Sequence, residues 1–418
     1  MPAGSDRGAG PGPASGSGPG SDSGSAAGGA SPGPASGSGP GSDSDSGASS
    51  DTGSDSGAGS GPGSDSGSDS GAGSDSGAGS GNAAGVILII ADGMSDEHLE
   101  AASRYKTGSE DGLFIHGLPR VARISTANAS GGVTDSAASA TAMATGVKVD
   151  NGVIARRIPG NGGELPSIVD TAKSLDKSVG LVTTSYVTHA TPAAFGAHAA
   201  GRGDHSAIAG DYLGHSRPEV LFGGGGNGIN ETTVVDAGYD LAQTAQELEE
   251  LASAYDSTKA PIAALFGDGH MPYVSSGRPD DIPSLPQMSE IAIDVLSRNP
   301  SGYFLMIEAA RIDHASHSND EKTMLDEVVE LDEVVEAVVT RVGSDEDTLV
   351  IVTSDHETGG LTVEGSHARG RYPSVGWSTT GHTARQVPVF TGGEHAASFE
   401  KVEENADLFS AMNEFLSR

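Results

Sequence analysis

Two stretches of this chain share almost nothing in their patterning. Over residues 1–85 no aliphatic side chain larger than alanine follows Met1, and Ser-Asp-Ser-Gly and Gly-Pro-Gly units repeat without apolar periodicity. From residue 86 onward, largely apolar runs occupy 86–90, 178–184, 303–307 and 348–353. Runs of this length suit strands buried on both faces, as in a parallel sheet covered by helices. Helical patterns lie between them. Residues 136–146 are rich in alanine, and over 320–342 Met324, Leu325, Val328, Leu331, Val335, Val338 and Val339 recur at helical spacing. That stripe predicts a core-facing side, with Asp and Glu on the opposite face. The alternation predicts an α/β domain over 86–418, with a central, largely parallel β-sheet and helices on both faces.

The residues that follow the runs bring in candidate chemistry. Three of the four predicted strands lead into acids: Asp92, Glu308, and the pair Asp355-His356. In sheets of this kind ligands collect at the carboxyl ends of the parallel strands. After Glu308 come Asp313, His314 and His317; if this segment is helical, Asp313 and His317 share a face and can share a metal. Carboxylate with imidazole suits zinc, whereas Glu308 with a threonine hydroxyl suits magnesium. Asp135 and Ser136 stand where a glycine-containing loop meets the alanine-rich helix. A serine there is ordinarily an N-cap, but the same place favours anions, because free N–H groups and the helix dipole point at it. With no Gly-x-Ser-x-Gly elbow in that segment, a metal is the more natural activator of Ser136 than a hydrolase triad.

Composition narrows the classes. The 418 residues include 63 glycines and no cysteine, which excludes disulfides, thiolate metal sites and cysteine nucleophiles. Acids outnumber bases 57 to 23, for a formal charge of -34, which argues against nucleic-acid binding and against anionic lipid. No apolar run is long enough for a transmembrane helix. Residues 1–85 carry nine acids and one base; they cannot bury enough apolar surface to offset chain entropy, and they read as a disordered, self-repelling acidic tail.

Taken together, the segments resemble one family, the alkaline phosphatases, over about residues 86–395. The motifs are Ala91-Asp92-Gly93-Met94, Thr134-Asp135-Ser136-Ala137-Ala138-Ser139-Ala140-Thr141-Ala142, and His189-Ala190-Thr191-Pro192-Ala193 with Arg202 beyond it. They continue with Glu308 through Asp313-His314 to His317, Ser354-Asp355-His356-Glu357-Thr358-Gly359-Gly360, and Gly381-His382-Thr383. The resemblance implies hydrolysis of small-molecule phosphate monoesters with two Zn2+ and one Mg2+. Ser136 resembles the nucleophile that forms a phosphoserine. Asp313, His317 and His382 resemble the ligands of one zinc; Asp92, Asp355 and His356 resemble those of the other. Asp92 would also bridge to a magnesium completed by Thr191 and Glu308, and Arg202 would fork onto two phosphate oxygens. Family members are commonly homodimers.

Two positions depart from one branch of the family. His189 stands where some members carry an aspartate near magnesium, and His314 where some carry a lysine that contacts phosphate through water. A neutral imidazole at His189 removes negative charge beside the cation; a helix-cap or surface histidine is the alternative. His98, His116, His198, His205, His215, His270, His367 and His395 lack ligand-like spacing and read as surface or core residues. Gly223–226 reads as a turn and Trp377 as packing. A phosphodiesterase or phosphomutase on the same scaffold is one alternative function, and a non-catalytic, cation-buffering surface protein is another. Seven lysines in a chain this acidic add the expectation of a salt-adapted, haloarchaeal-like member. A secreted or cell-surface location is expected, with a cytoplasmic one left open because Met1–10 lacks an apolar signal core.

Overall fold

The computed structural model describes residues 84–343, 347–365, 368–392, 395, 399 and 401–418, all within a unit spanning Ser76–Arg418. Of the tail predicted over 1–85, residues 1–83 lie outside the described residues, whereas Gly85, assigned to it by composition, opens the first strand.

The strands are β1 (Gly85–Ala91), β2 (Arg120–Ile124), β3 (Ser178–Tyr186), β4 (Val220–Gly225), β5 (Asp240–Ala242), β6 (Ile262–Asp268), β7 (Tyr303–Ala309) and β8 (Thr348–Thr353). After them come the short β9 (Glu357–Thr358), β10 (Thr362–Glu364), β11 (Ser374–Gly376) and β12 (His382–Thr383), and then β13 (Val387–Gly392). Nine of them form one sheet in the order β2-β13-β8-β1-β7-β3-β4-β6-β5. The seven from β8 to β5 run parallel, and β13 is antiparallel to both β8 and β2. Each of the four apolar runs forms one of the four central strands.

Side-chain alternation along β1 divides the core. Val86, Leu88 and Ile90 pack on one face against the helices Ser136–Thr145, Ile168–Ser174, Ala190–Gly196 and Asp407–Leu416. Ile87, Ile89 and Ala91 pack on the other against Asp96–Thr107, Leu285–Leu296 and Glu321–Val342. With both faces covered, every residue of β1 is buried, which is why these strands read as continuous apolar runs. Among the described residues, no helix is long and apolar enough to cross a membrane.

Two expectations need correction. The long helix does not keep all its acids outward: Glu327, Glu330 and Asp332 are buried. Loops cover its outer side too, and the acids hold those loops. Glu330 pairs with Arg278 at 2.5 Å, Asp332 accepts from the Ile115 N–H at 3.0 Å, and Glu327 accepts from the Val274 N–H at 2.8 Å. Nor is the glycine run a turn, since Gly223–Gly225 complete the buried strand β4. A Cβ on Gly224 would lie 1.7 Å from the carbonyl oxygen of Gly269, so only glycine lets the end of β6 come this close.

Candidate active site

Register places the acids. Gly85 pairs with both Tyr303 and Thr348, so β1, β7 and β8 end level with one another. Asp92, Glu308 and Asp355 therefore meet at one edge of the sheet, all fully buried. The helix Arg311–His317 starts just beyond β7 and carries Asp313 and His317 on one face, with His317 Nε2 3.3 Å from Asp313 Oδ2. His382 arrives by a different route. Its strand β12 pairs antiparallel with β9, so that His382 lies opposite Thr358, two residues after His356. Its Nε2 is 3.6 Å from Asp313 Oδ1 and 3.1 Å from His317 Nε2.

Three donor groups result. Asp313, His317 and His382 each offer an atom within 4.8 Å of the others, and so do Asp92, Asp313 and His356. Asp355 adjoins the second group, with His356 Nε2 3.3 Å from Asp355 Oδ2 and 3.5 Å from Asp92 Oδ1. Asp92, Glu308 and His189 form the third at the same spacing. Asp92 and Asp313 are each shared by two groups, and a shared carboxylate has the placement of a bridge. The two imidazoles of the first group are fixed from behind: His317 Nδ1 contacts the Thr380 carbonyl at 2.6 Å, and His382 Nδ1 the Thr134 carbonyl at 2.8 Å. Both Nε2 atoms are thereby left to face inward.

Several of these polar atoms are buried with no hydrogen-bond partner among the described residues: both carboxylate oxygens of Asp92, Asp355 Oδ2, Glu308 Oε1 and Thr191 Oγ1. Burying such atoms unpaired is costly unless a cation takes them. Their titration reads the same way. Burial, then the charges of Asp355, Asp313 and Glu308, pushes Asp92 well above the usual carboxylate range. Burial likewise pushes Glu308 to about 7 and Asp355 to about 6, and it holds His356 neutral, near 4. Asp313 is the exception, because His317, His356 and His382 outweigh its burial and keep it ionised. Its bond, in turn, raises His317 to about 9.

Ser136 is the first residue of the helix Ser136–Thr145. Its cap is Asp135, whose Oδ1 accepts from the Ala138 N–H at 3.0 Å. The cap role is thus taken by the neighbour, and Ser136 Oγ faces His356 Nε2 at 3.3 Å. Arg202 donates from Nη1 to Asp135 Oδ2 at 3.0 Å and from Nη2 to His189 Nε2 at 3.2 Å. His189 occupies the N-cap position of the helix Ala190–Gly196 but makes no capping bond. His314 joins none of the three donor groups; its Nδ1 accepts from Arg311 Nη1 at 3.0 Å.

Some neighbours escaped sequence reasoning. Thr183 and Ser185 bind Glu308 Oε2, and Thr358 Oγ1 donates to Asp313 Oδ1 at 2.5 Å. His270, read as a surface or core residue, is exposed as expected, yet it also borders the site: its ring lies 4.4 Å from that of His314 and 5.6 Å from that of His189. It follows β6, so the strand-end logic that singled out Asp92 would have found it. His98 is a core residue as expected, fully buried beside Ser316, and Trp377 packs edge-on against it. His367 lies outside the described residues.

Comparisons with known proteins identify the family. The Alkaline phosphatase family profile matches residues 83–375. Alkaline phosphatase 4 of Bacillus subtilis is 35% identical over 295 residues, which cover 66% of this chain and 62% of the relative, less than two thirds of its length. Alkaline phosphatase of Escherichia coli is 30% identical over 407 residues, covering 79% of this chain and 85% of that one. A histidine-to-aspartate variant of the alkaline phosphatase from the Antarctic bacterium TAB5, solved with Mg bound in its M3 site, is 29% identical. It superposes with a TM-score of 0.69 over 80% of this chain and 97% of its own. The chain belongs to the alkaline phosphatase family.

Proposed function

We propose that this chain hydrolyses phosphate monoesters through a phosphoserine at Ser136, with two Zn2+ and one Mg2+. The observation that carries the reading is the convergence of unpaired, buried carboxylate oxygens from Asp92, Asp355 and Glu308 beside the Ser136 hydroxyl. Asp313, His317 and His382 would hold one zinc, Asp92, Asp355 and His356 the other, and Asp92, Thr191 and Glu308 the magnesium. When bound, the cations supply the charge that makes the Ser136 alkoxide accessible and steadies the leaving oxygen. Ser136 Oγ then attacks phosphorus in line, the bond to the ester oxygen breaks, and the alcohol leaves. Water attacks the phosphoserine from the vacated side, the P–Oγ bond breaks, inorganic phosphate leaves, and Ser136 Oγ takes up a proton to regenerate the hydroxyl. Arg202, anchored by Asp135, forks onto two non-bridging oxygens, which favours monoesters over diesters. In the third group His189 adds an imidazole, a ligand type that suits zinc better than magnesium; metal analysis of a His189→Asp variant tests that balance.

Salt adaptation belongs to the same reading, supported by the acidic excess and the seven lysines. So do a secreted or cell-surface location and a homodimer, tested by fractionation and by sedimentation. The deciding experiment for the activity is turnover of an aryl phosphate monoester against the matching diester by the zinc- and magnesium-loaded protein. Monoester preference supports the proposal; diester preference would favour the phosphodiesterase alternative.

A further inference from the structure

We infer that Asn405, which lies beyond the stretch matched by the family profile, is a positioning residue for the Ser136 nucleophile; the inference rests on the phosphoserine reading above. Its Nδ2 donates to Ser139 Oγ at 2.8 Å. Ser139 Oγ gives its single proton to the backbone carbonyl of Asp355, at 2.6 Å, so a hydroxyl lone pair receives Asn405. Ser139 follows Ser136 by three residues, on the same face of one helix. Asp355 immediately precedes His356, whose Nε2 faces Ser136 Oγ at 3.3 Å. The relay Asn405–Ser139–Asp355 therefore ties the helix of the nucleophile to the strand end that bears two proposed zinc ligands, by a route that involves no cation.

The segment that delivers Asn405 is itself fixed. The Asn405 N–H donates to the Ser125 carbonyl at 3.0 Å, and the Ser125 N–H to the Glu403 carbonyl at 2.9 Å. Asp407 Oδ2 accepts from the N–H groups of Glu403 and Glu404 at 3.0 and 2.9 Å. The helix Asp407–Leu416 then packs on the helix of the nucleophile, closely enough that a Cβ on Gly146 would meet the Phe409 ring at 3.0 Å. Asn405 and Ser139 are fully buried. Yet Asn405 Oδ1 has no hydrogen-bond partner among the described residues. Among the described residues, the side-chain hydrogen bond of Asn405 is the one to Ser139.

The test is single-turnover rapid quench with an aryl phosphate, on the full, metal-loaded chain and its Asn405→Ala, Ser139→Ala and double variants. It separates phosphorylation of Ser136 from dephosphorylation. Each single variant is expected to slow phosphorylation by up to roughly a hundredfold, the scale of a reacting group misplaced by about 1 Å, with zinc content and dephosphorylation unchanged. The double variant should be no slower than Ser139→Ala, because the two side chains act as one unit. Losses that multiply in the double variant, or parental phosphorylation in either single variant, overturn the inference. If Asn405→Ala does not fold, Asn405→Leu, which keeps the side chain's bulk and removes only its donor to Ser139, decides the matter. A parent chain that forms no phosphoenzyme refutes the functional reading instead.

Discussion

Ser136 Oγ and His356 Nε2 face each other at 3.3 Å across 220 residues of sequence. The contact exists because β8 ends level with β1 and delivers His356 to the sheet edge, while the Asp135 cap leaves the Ser136 hydroxyl free. A nucleophile held against an imidazole that itself lies beside buried carboxylate oxygens without hydrogen-bond partners calls for cations.

Arg202→Ala removes a guanidinium whose two arms now rest on Asp135 and His189. Monoester and phosphate affinity should fall by roughly 1.5–3 kcal/mol, the scale of a charged hydrogen bond, with a smaller loss on diesters. Inhibition constants for inorganic phosphate, beside kcat/KM for both ester types, check this. Equal losses on the two would remove the argument for monoester preference.

Chelation should destabilise the fold more as pH rises. In the metal-free protein Glu308 is raised from 4.5 to about 7 and Asp355 from 3.8 to about 6, burial being the first cause of each. A carboxyl raised on folding favours the fold while protonated and costs stability once ionised. The metal-free fold therefore loses stability as pH climbs from about 4 through 7. Melting of chelated and metal-loaded protein should give a Tm gap that is wider at pH 8 than at pH 5.5. A constant gap would contradict the sign.

Away from the site, Glu327 is raised from 4.5 to about 7, chiefly by burial on the long helix. Its ionisation costs nothing below about pH 4.5, and the full penalty is present above 7. Glu327→Gln keeps an acceptor for the Val274 N–H. The substitution should add up to roughly 3 kcal/mol at pH 8, because each tenfold change in proton affinity is worth about 1.4 kcal/mol. At pH 4.5 it should add little. Denaturant unfolding at the two pH values, with metals saturating, decides it; equal effects at both would show that burial of the charge is not the cause.

Salt should help this protein. Its charge of -34 repels a phosphate dianion and its own surface carboxylates alike. Near 1 M salt the screening length shrinks to about 3 Å. Unfolding midpoint and second-order rate constant should both rise from 0.1 M to molar NaCl, and a steady fall in both would reject salt adaptation.

Much of this site was legible in the sequence for a local reason. Asp92, Glu308 and Asp355 follow apolar runs, and parallel strands that start level also end level, so strand ends converge. Asp313 and His317 needed only helical spacing. His382 was legible only by resemblance, because it arrives through the two-residue ladder of β9 and β12, which has no hydrophobic pattern of its own. The outward assignment of Glu327, Glu330 and Asp332 failed because periodicity records one packed face and is blind to loops folded over the other. Gly223–Gly225 misled for a related reason: glycine there answers the approach of Gly269, a contact between segments far apart in sequence. His270 was passed over because the segment before it, which forms β6, was not among the apolar runs singled out as strands.

The most direct test of the central claim is covalent labelling of Ser136. Metal-loaded protein incubated at mildly acidic pH with labelled phosphate or an aryl phosphate, then acid-quenched, should carry label on the peptide containing Ser136. Ser136→Ala should carry none and turn over several orders of magnitude more slowly, while its zinc content stays unchanged. Label retained by Ser136→Ala, or found on another residue of the parent, would contradict the account.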